Sequence, residues 1–306
     1  MLWPSLEVGG LLPVAEWGRA CYSHNLECFY TGRYPMPTMR VVTYNIEFGV
    51  PERLAALTTA LEALPGDIIT LNEADHPAVV AELAARLGLF YVWERGSGDR
   101  HIATLSRFPI HAHRIENRPP LTQAVLQTWH ETPWGMVAVY NCHFLPYLLL
   151  PYELQRWRAA GALLRLIRAA TPGPHLIVGD LNAIGPGDRV LQRRNPPRMR
   201  RVMWLQLGLI FRLALPRLLR AGYTDCFRAL NPTADGFTWR PGNLTTRYDY
   251  ILADPVMTAR LRACHVVEDA PCLAEASDHL PLLAEFGWDS AESLLPPPHN
   301  AQGVPS

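Results

Sequence analysis

Lysine is absent from the 306 residues: all 28 cationic side chains are arginine, set against 28 Asp and Glu. The formal net charge is zero, so no global field concentrates a polyanion around the molecule. Lysine avoidance beside abundant Ala, Pro, Leu and Arg most simply reflects a GC-rich coding sequence. Long apolar runs are also missing. No uninterrupted stretch approaches the ~18 residues of a spanning helix, which argues against an integral membrane protein. Cysteine is scarce. The six present (Cys21, Cys28, Cys142, Cys226, Cys264, Cys272) lie too far apart for a zinc motif and are too few for a disulfide scaffold. Buried thiols in a reducing compartment follow. The amino terminus, MLWPSLEVGG, has no cation ahead of its apolar residues and carries Glu7, with Glu16 soon after. It is a poor signal peptide, and the chain reads as cytoplasmic.

With 49% hydrophobic and 18% charged residues, wholesale disorder is excluded. The length allows one large domain or two small ones. Residues 1–38 show no periodicity; they read either as a mobile extension or as translation assigned upstream of a true start at Met39. Residues 288–306 are Pro-rich and polar and read as a disordered tail. Between them lies the domain, 39–287. Val41 to Tyr44 predicts a strand, and Leu54, Leu57, Leu61 and Leu64 follow at helical spacing up to Pro65-Gly66. Ile68 to Leu71 predicts a second strand, and a helix from Pro77 to Gly88 has Asp75 as its cap. Further strands are expected at Leu89–Trp93, Ala103–Ser106, Ala124–Thr128, Met136–His143, His175–Val178, Tyr248–Leu252 and Leu280–Phe286. A long helix over 152–170 carries Leu154, Trp157, Leu164 and Ile167 on one face. Strands with helices returning between them indicate an α/β sandwich.

Polar residues stand at the strand ends, where packing alone does not call for them. Asn45 ends VVTYN, Glu73 ends IITLNE, His143 ends VAVYNCH, and Asp180 and Asn182 end LIVGDLN. Asp249 lies within RYDYIL, and Asp278-His279 opens the last strand in ASDHLPL. Each alone is more often a turn former or a cap. Together they are harder to dismiss, because strand ends at one edge of a sandwich converge. Oxygen ligands from Glu73, Asp278 and Asn45 suit a hard cation such as Mg²⁺, with Mn²⁺ as a substitute, and nothing soft is offered for zinc. Two histidines with carboxylates at hand suit proton transfer and charge stabilisation at phosphorus.

These segments (VVTYNIEFG, DIITLNEAD, RHIATLSRFPI, YNCHF, VGDLNAI, RYDYILAD and ASDHLPLLAEF, in that order) resemble the endonuclease/exonuclease/phosphatase superfamily over residues 40–287. Singly the motifs are short; their joint order is specific. The resemblance implies a four-layered α/β sandwich, two mixed sheets packed face to face with helices outside. It implies Mg²⁺-dependent phosphoester hydrolysis by in-line attack of water. By motif match, Asn45 and Glu73 hold the metal with Asp278 nearby, and Asp180 and Asn182 position the attacking water or the phosphate. His279 is oriented by Asp249, His143 is the second histidine, and Glu94 in YVWERG is the carboxylate expected against it. Asn72 stands where Gln is usual, a departure expected to matter little. YNCHF replaces the tyrosine segment of apurinic endonucleases, which disfavours abasic-site repair. Nucleic acid, a phospholipid headgroup and a small phosphomonoester all remain as substrates. The alternative reading is a non-catalytic binding module that retains the fold; retention of every motif residue weighs against it. No obligate protein partner is inferred.

Other residues take plainer readings: Glu47 as a flanking or surface carboxylate, His101 as an exposed loop residue or a phosphate contact, Cys142 as core, His76 at a helix start. His111, His113, His130 and His175 are expected to be structural. The segment 189–221 holds nine arginines and no acid, around the apolar run VMWLQLGLIF (Val202 to Phe211). It is expected to pack as a hydrophobic helix with solvated arginines. The competing reading is an exposed patch, to which Leu148 to Leu150 would add, engaging lipid headgroups or nucleic acid.

Overall fold

β-branched residues flanked by small apolar ones favour the pleated conformation, and the first such run forms strand β1 (Thr38–Asn45). The computed structural model describes residues 38–98, 100–121 and 123–288. Thr38, the last residue of the expected extension, opens β1; the rest of that extension and all but the first residue of the expected tail lie outside the described residues. One sheet runs in the order β11 (Leu261–Val266), β12 (Leu282–Gly287), β1, β2 (Ile68–Asn72), β4 (Ile102–Ser106), β3 (Phe90–Glu94). The other runs β5 (Ile110–Glu116), β6 (Ala124–Thr132), β7 (Gly135–His143), β8 (His175–Asp180), β10 (Asp249–Ala253), β9 (Thr224–Asp225). β1 pairs parallel with β2 and β7 parallel with β8, while the remaining pairs are antiparallel, so both sheets are mixed.

The inner faces meet in an apolar layer: Met39, Val41, Ile68, Leu282 and Phe286 from one sheet against Val137, Val139, Leu176, Val178 and Ile251 from the other. Side chains alternate along a strand, so Val42, Tyr44, Ile69 and Leu71 face outward. There they are covered by helices α1 (Leu54–Glu62) and α2 (Pro77–Leu87) through Leu57, Leu61, Val80 and Leu83. The outer face of the second sheet is covered by α3 (Leu150–Ala169), then α4 (Pro197–Leu205) and α5 (Ala214–Arg220) follow in chain order. Leu163, Leu215 and Leu218 rest on Tyr140, Ile177 and Leu252. Short helices α6 (Cys226–Leu230), α7 (Pro255–Arg260) and α8 (Leu273–Ala276) complete the connections. The result is the four-layered α/β sandwich.

Several local expectations differ. Helix α3 does not bury the face of Leu154 and Trp157, which are 40% and 39% exposed. It buries Glu153 and Arg156 instead, because each has fixed partners. Glu153 Oε1 accepts from the N–H groups of Leu213 and Ala214 at the start of α5 (2.6 and 2.8 Å), and Arg156 Nη1 donates to the carbonyls of Leu145 and Tyr147 (2.6 and 2.9 Å). Asp75 does not cap α2, which starts after His76 without a side-chain cap; its Oδ1 accepts from the His101 N–H at 2.7 Å. Trp288 is buried and stacks on Trp134, with ring centroids 4.5 Å apart. A buried guanidinium, Arg247, ties Asp188 and Asp225 together at 2.8 and 2.6 Å.

His130 joins the sheets. On β6 it is buried, with Nδ1 3.0 Å from Ser106 Oγ on β4 and Nε2 2.8 Å from Thr128 Oγ1. Both partners are neutral, and burial pushes the imidazole pKa down to about 3. An imidazole that stays neutral when folded takes up a proton more readily when unfolded. Its contribution is therefore complete above the ordinary value near 6.5 and declines as pH falls toward 3. Urea unfolding should lose up to about 1.4 kcal/mol per pH unit from this group below pH ~6. His130→Gln should flatten that dependence, and an unchanged slope would remove His130 from the account.

Candidate active site

Pairing register gathers the polar strand ends. Asn45 stands opposite Asn72 where β1 and β2 end in parallel, and Asp180 stands opposite Asp249 where β8 ends and the antiparallel β10 begins. Glu73 follows β2 with φ 52° and Asn182 follows β8 with φ 46°. Both are non-glycine residues in the left-handed region, a strain that proteins concentrate at functional positions. Gly179 is obligatory for another reason: with φ 125°, a Cβ there would stand 2.0 Å from the Cys142 carbonyl oxygen on β7.

An amide network holds the carboxylates. Asn45 Nδ2 donates to Glu73 Oε1 at 3.3 Å and to Asp180 Oδ2 at 3.0 Å, while its Oδ1 accepts the Glu47 N–H at 3.0 Å. Below it, Asn72 crosses between the sheets. Its Oδ1 accepts from the Asp180 N–H (2.7 Å) and its Nδ2 donates to Asn141 Oδ1 (2.9 Å). Asn141 Nδ2 donates back to the carbonyls of Ala103 and Leu71 at 2.8 and 3.3 Å. Asn182 is fixed by its N–H to Asp180 Oδ1 (2.9 Å) and by its amide to the Phe144 carbonyl (3.0 Å). Ser277 Oγ donates to the Asn45 carbonyl at 2.6 Å and accepts from the His279 N–H at 3.1 Å, which sets the last motif against the first.

His279 Nδ1 lies 2.8 Å from Asp249 Oδ2, and its Nε2 stands 3.9 Å from both Asp180 Oδ2 and Asp278 Oδ1. His143 Nε2 stands 3.9 Å from Glu73 Oε1 and from Asp180 Oδ2. Burial opposes the charged form of His279, but Asp249, Asp180 and Asp278 outweigh it and lift the pKa to about 10. Burial, with Arg100 and His279 adding to it, pushes His143 down to about 3. One histidine is thus cationic and the other neutral at pH 7. Burial and the Asp249 charge raise Asp180 to about 7, against the pull of His279 and two hydrogen bonds. Burial also raises Glu73, partly offset by Arg100 and the Asn45 amide.

Four carboxylates (Glu73, Asp180, Asp249, Asp278) therefore face two cations, His279 and Arg100, the latter shared with Asp75 at 3.3 Å, and Asp249 Oδ1 is buried with no hydrogen-bond partner among the described residues. This all-oxygen, under-neutralised donor set fits a hard divalent cation. Among the described residues, Asp180, Asp249 and His279 bring ligand atoms within 4.8 Å of one another. Two of the three already satisfy each other, so that trio behaves as a hydrogen-bonded relay rather than as a ligand set.

Sequence-predicted positions converge with two differences. Glu94 is not against His143. It ends the edge strand β3 and pairs with His113 on β5 at 3.2 Å, while His143 Nδ1 has no hydrogen-bond partner among the described residues. Asn45 turns its amide nitrogen, not its oxygen, toward the carboxylates, because the Glu47 N–H takes the oxygen. Reasoning on sequence missed Arg100, whose Nε lies 3.5 Å from Glu73 Oε2 and whose guanidinium covers the Phe48 ring at 4.2 Å. It also missed Trp239, whose Nε1 donates to Asp278 Oδ2 at 3.0 Å. No local pattern marks either. His101 is half-buried, edge-on to Trp93 at 5.2 Å.

The sequence profile of the Endonuclease/Exonuclease/phosphatase family matches residues 42–279. No curated protein matches the chain. Among solved structures it is similar to a 3′ phosphatase, NExo, from Neisseria bound to product DNA hairpin, at 21% identity and TM-score 0.62 over 82% of this chain and 100% of that one. It is likewise similar to an AP endonuclease from Archaeoglobus fulgidus, at 19% identity and TM-score 0.63 over 81% and 99%. A humanized D. rerio TDP2 gives 17% identity and TM-score 0.59 over 82% and 99%. At these identities the likeness is one of fold.

Because Asn72 bonds across both sheets, Asn72→Ala leaves Asn141 Oδ1 and the Asp180 N–H without their partners in a buried site. Each orphan costs ~1–3 kcal/mol, so chemical denaturation should show a loss of about 2–6 kcal/mol. A loss under ~1 kcal/mol would mean that the bridge is not structural.

Proposed function

This chain belongs to the Endonuclease/Exonuclease/phosphatase family, a family of metal-dependent phosphoesterases, and we propose that it hydrolyses a phosphoester by in-line attack of water at the strand ends that carry Glu73, Asp180 and His279. The observation that carries this reading is the relay Asp249–His279–Asp180, with one 2.8 Å bond and one 3.9 Å gap, at the junction of two sheets. A gap of that length beside a carboxylate and an imidazolium admits a reacting oxygen within reach of both.

The residues divide the work by charge. Asp180, whose pKa is raised by burial and by the Asp249 charge, accepts the proton of the attacking water. Asn182 holds Asp180 through its backbone N–H, while its side-chain amide is tied to the Phe144 carbonyl. His279, oriented by Asp249, donates Nε2–H to the phosphoryl oxygen on which charge develops. His143 is neutral, so it positions the phosphate or leaving group by hydrogen bonding without adding charge. Arg100 stands beside Glu73 as a second fixed cation. A hard divalent cation, Mg²⁺ or Mn²⁺, would be held by Glu73 and Asp278 with Asn45 beside them; when bound it supplies Lewis-acid neutralisation of phosphoryl charge.

Asn45, Glu73, His143, Asp180, Asn182, Asp249, Asp278 and His279 stand close together at the strand ends, which supports an enzyme over a binding module that merely keeps the fold. Substrates of similar structures are theirs alone at this identity. Nucleic acid, phospholipid and small phosphomonoester share the phosphoryl chemistry that the site addresses.

Chelation by EDTA should abolish turnover on whichever of plasmid DNA, single-stranded RNA, sphingomyelin or inositol phosphates is cleaved, and Mg²⁺ should restore it. His279→Ala and Asp180→Ala should each lower kcat by about 10²–10⁴-fold with circular dichroism unchanged. The double variant should fall short of the product of the two losses, because the groups act as a unit. Near wild-type turnover in either variant, or full activity in EDTA, would refute the assignment.

A further inference from the structure

The arginine-rich segment does not do what its apolar run predicts. Of that run, Met203 is buried, together with the neighbouring Leu148, Ile184 and Tyr248. Trp204, Leu205, Leu207 and Leu209 are instead 76%, 73%, 88% and 56% exposed. Packing therefore accounts for one side of α4 and leaves the other, with the turn after it, as an apolar surface in water. We infer that this surface, from α4 through Leu209, docks the protein on an anionic lipid membrane.

Three observations carry the inference. First, the turn is built to hold an apolar tip. Leu207 sits at φ 57° and Gly208 at φ 71°, closed by the Gly208 N–H to the Met203 carbonyl at 2.9 Å. The Leu207 site is one that glycine or asparagine fills with least strain. The Leu207 side chain there is 88% exposed, so packing does not account for a leucine at this position.

Second, the charges around the tip are of one sign. Arg193, Arg194, Arg198, Arg200 and Arg201 are exposed and form no ion pair among the described residues, whereas Arg189 pairs with Asp235 at 3.1 Å. A guanidinium collar around exposed leucines and a tryptophan complements an anionic interface. The apolar side chains enter the acyl boundary, Trp204 stays at headgroup depth, and the arginines meet phosphate. Nucleic acid would use the arginines equally, but phosphate backbones offer leucine side chains nothing. Because the whole chain lacks lysine, arginine as such carries no weight.

Third, the surface is anchored to the site. Gln206 Nε2 donates to the Leu148 carbonyl at 2.6 Å, on the connection that follows His143. Ile184 lies two residues beyond Asn182, and Tyr248 precedes Asp249. Trp239, partly buried in the same cluster, holds Asp278. Docking thus sets the catalytic strand ends beside the lipid–water interface, although docking itself does not depend on hydrolysis.

Flotation of the full chain with phosphatidylcholine vesicles, with and without phosphatidylglycerol, tests it. The wild type should float with the anionic vesicles and weakly with the neutral ones. Arg198→Gln, Arg200→Gln and Arg201→Gln together should cost about a hundredfold in partitioning to the anionic vesicles. Leu207→Asn, which suits the turn's backbone, combined with Trp204→Ser should cost about tenfold or more at unchanged melting temperature. His279→Ala should float like the wild type, so a failed catalytic assignment leaves this result intact. The inference is overturned if the wild type stays with neither vesicle, or if the tip substitutions leave flotation unchanged. It is also overturned if sedimentation shows a dimer that Leu207→Asn dissolves, or if oligonucleotide binding, lost with the arginines and indifferent to Leu207, replaces vesicle binding.

Discussion

The burial of ionised carboxylates where strands of two sheets end is the constraint on which the remaining structure depends. Asp180 and Asp249 lie opposite each other at the ends of adjacent strands, both nearly inaccessible to water. A buried charge costs several kcal/mol unless it is paired or hydrogen-bonded. The protein offsets that cost incompletely. His279 carries a positive charge between three aspartates, Asn45 bridges Glu73 and Asp180, and the Asn182 N–H closes on Asp180 Oδ1. What is left uncompensated, as the raised Asp180 and Glu73 values register, is the chemical potential of the site. The same deficit suits both the proposed general base and the proposed cation site.

Fixing these groups requires that the two sheets keep one relative position. Hydrophobic contact between sheets tolerates small slides; directional bonds do not. The line from Ala103 through Asn141 and Asn72 to Asp180 crosses the inner layer with amides whose donors and acceptors are spent on named partners. Arg247 acts similarly on the far side, binding Asp188 at the entry to the arginine-rich segment to Asp225 before α6. That segment is in turn capped by Glu153. The site and the exposed tip are therefore parts of one connected scaffold.

Much of this was legible along the chain. β1, β2, β4, β7 and β8 announce themselves by apolar runs that end in or just before a polar residue, β10 and β12 by runs that follow one, and order alone led to the family and the sandwich. β5 escaped because IHAHRIE is an edge strand, with His111, Ala112, His113 and Arg114 exposed, so it has no apolar period. β11 escaped for the same reason, and β9 is a two-residue strand. The relay was readable because its members stand where strands end or begin. Arg100 was not, since its contact with Glu73 depends on how the connection into β4 folds back. Glu94 misled because its place in the sequence suits His143, whereas its place at a sheet edge puts it on His113. The departure at Asn72 has more weight than its position suggested: a shorter amide reaches across the sheets to Asn141 and Asp180.

The central claim is that the site stores uncompensated negative charge on the fold and that a cation discharges it. Burial raises Glu73, so its ionised form destabilises the folded chain when no metal is present. Thermal unfolding of the wild type and of Glu73→Gln, each in EDTA and in Mg²⁺, tests this directly. The account predicts that Glu73→Gln melts higher than the wild type in EDTA, that Mg²⁺ raises the wild-type midpoint, and that the variant does not respond. A variant that melts lower in EDTA, beside a wild type indifferent to Mg²⁺, would contradict it.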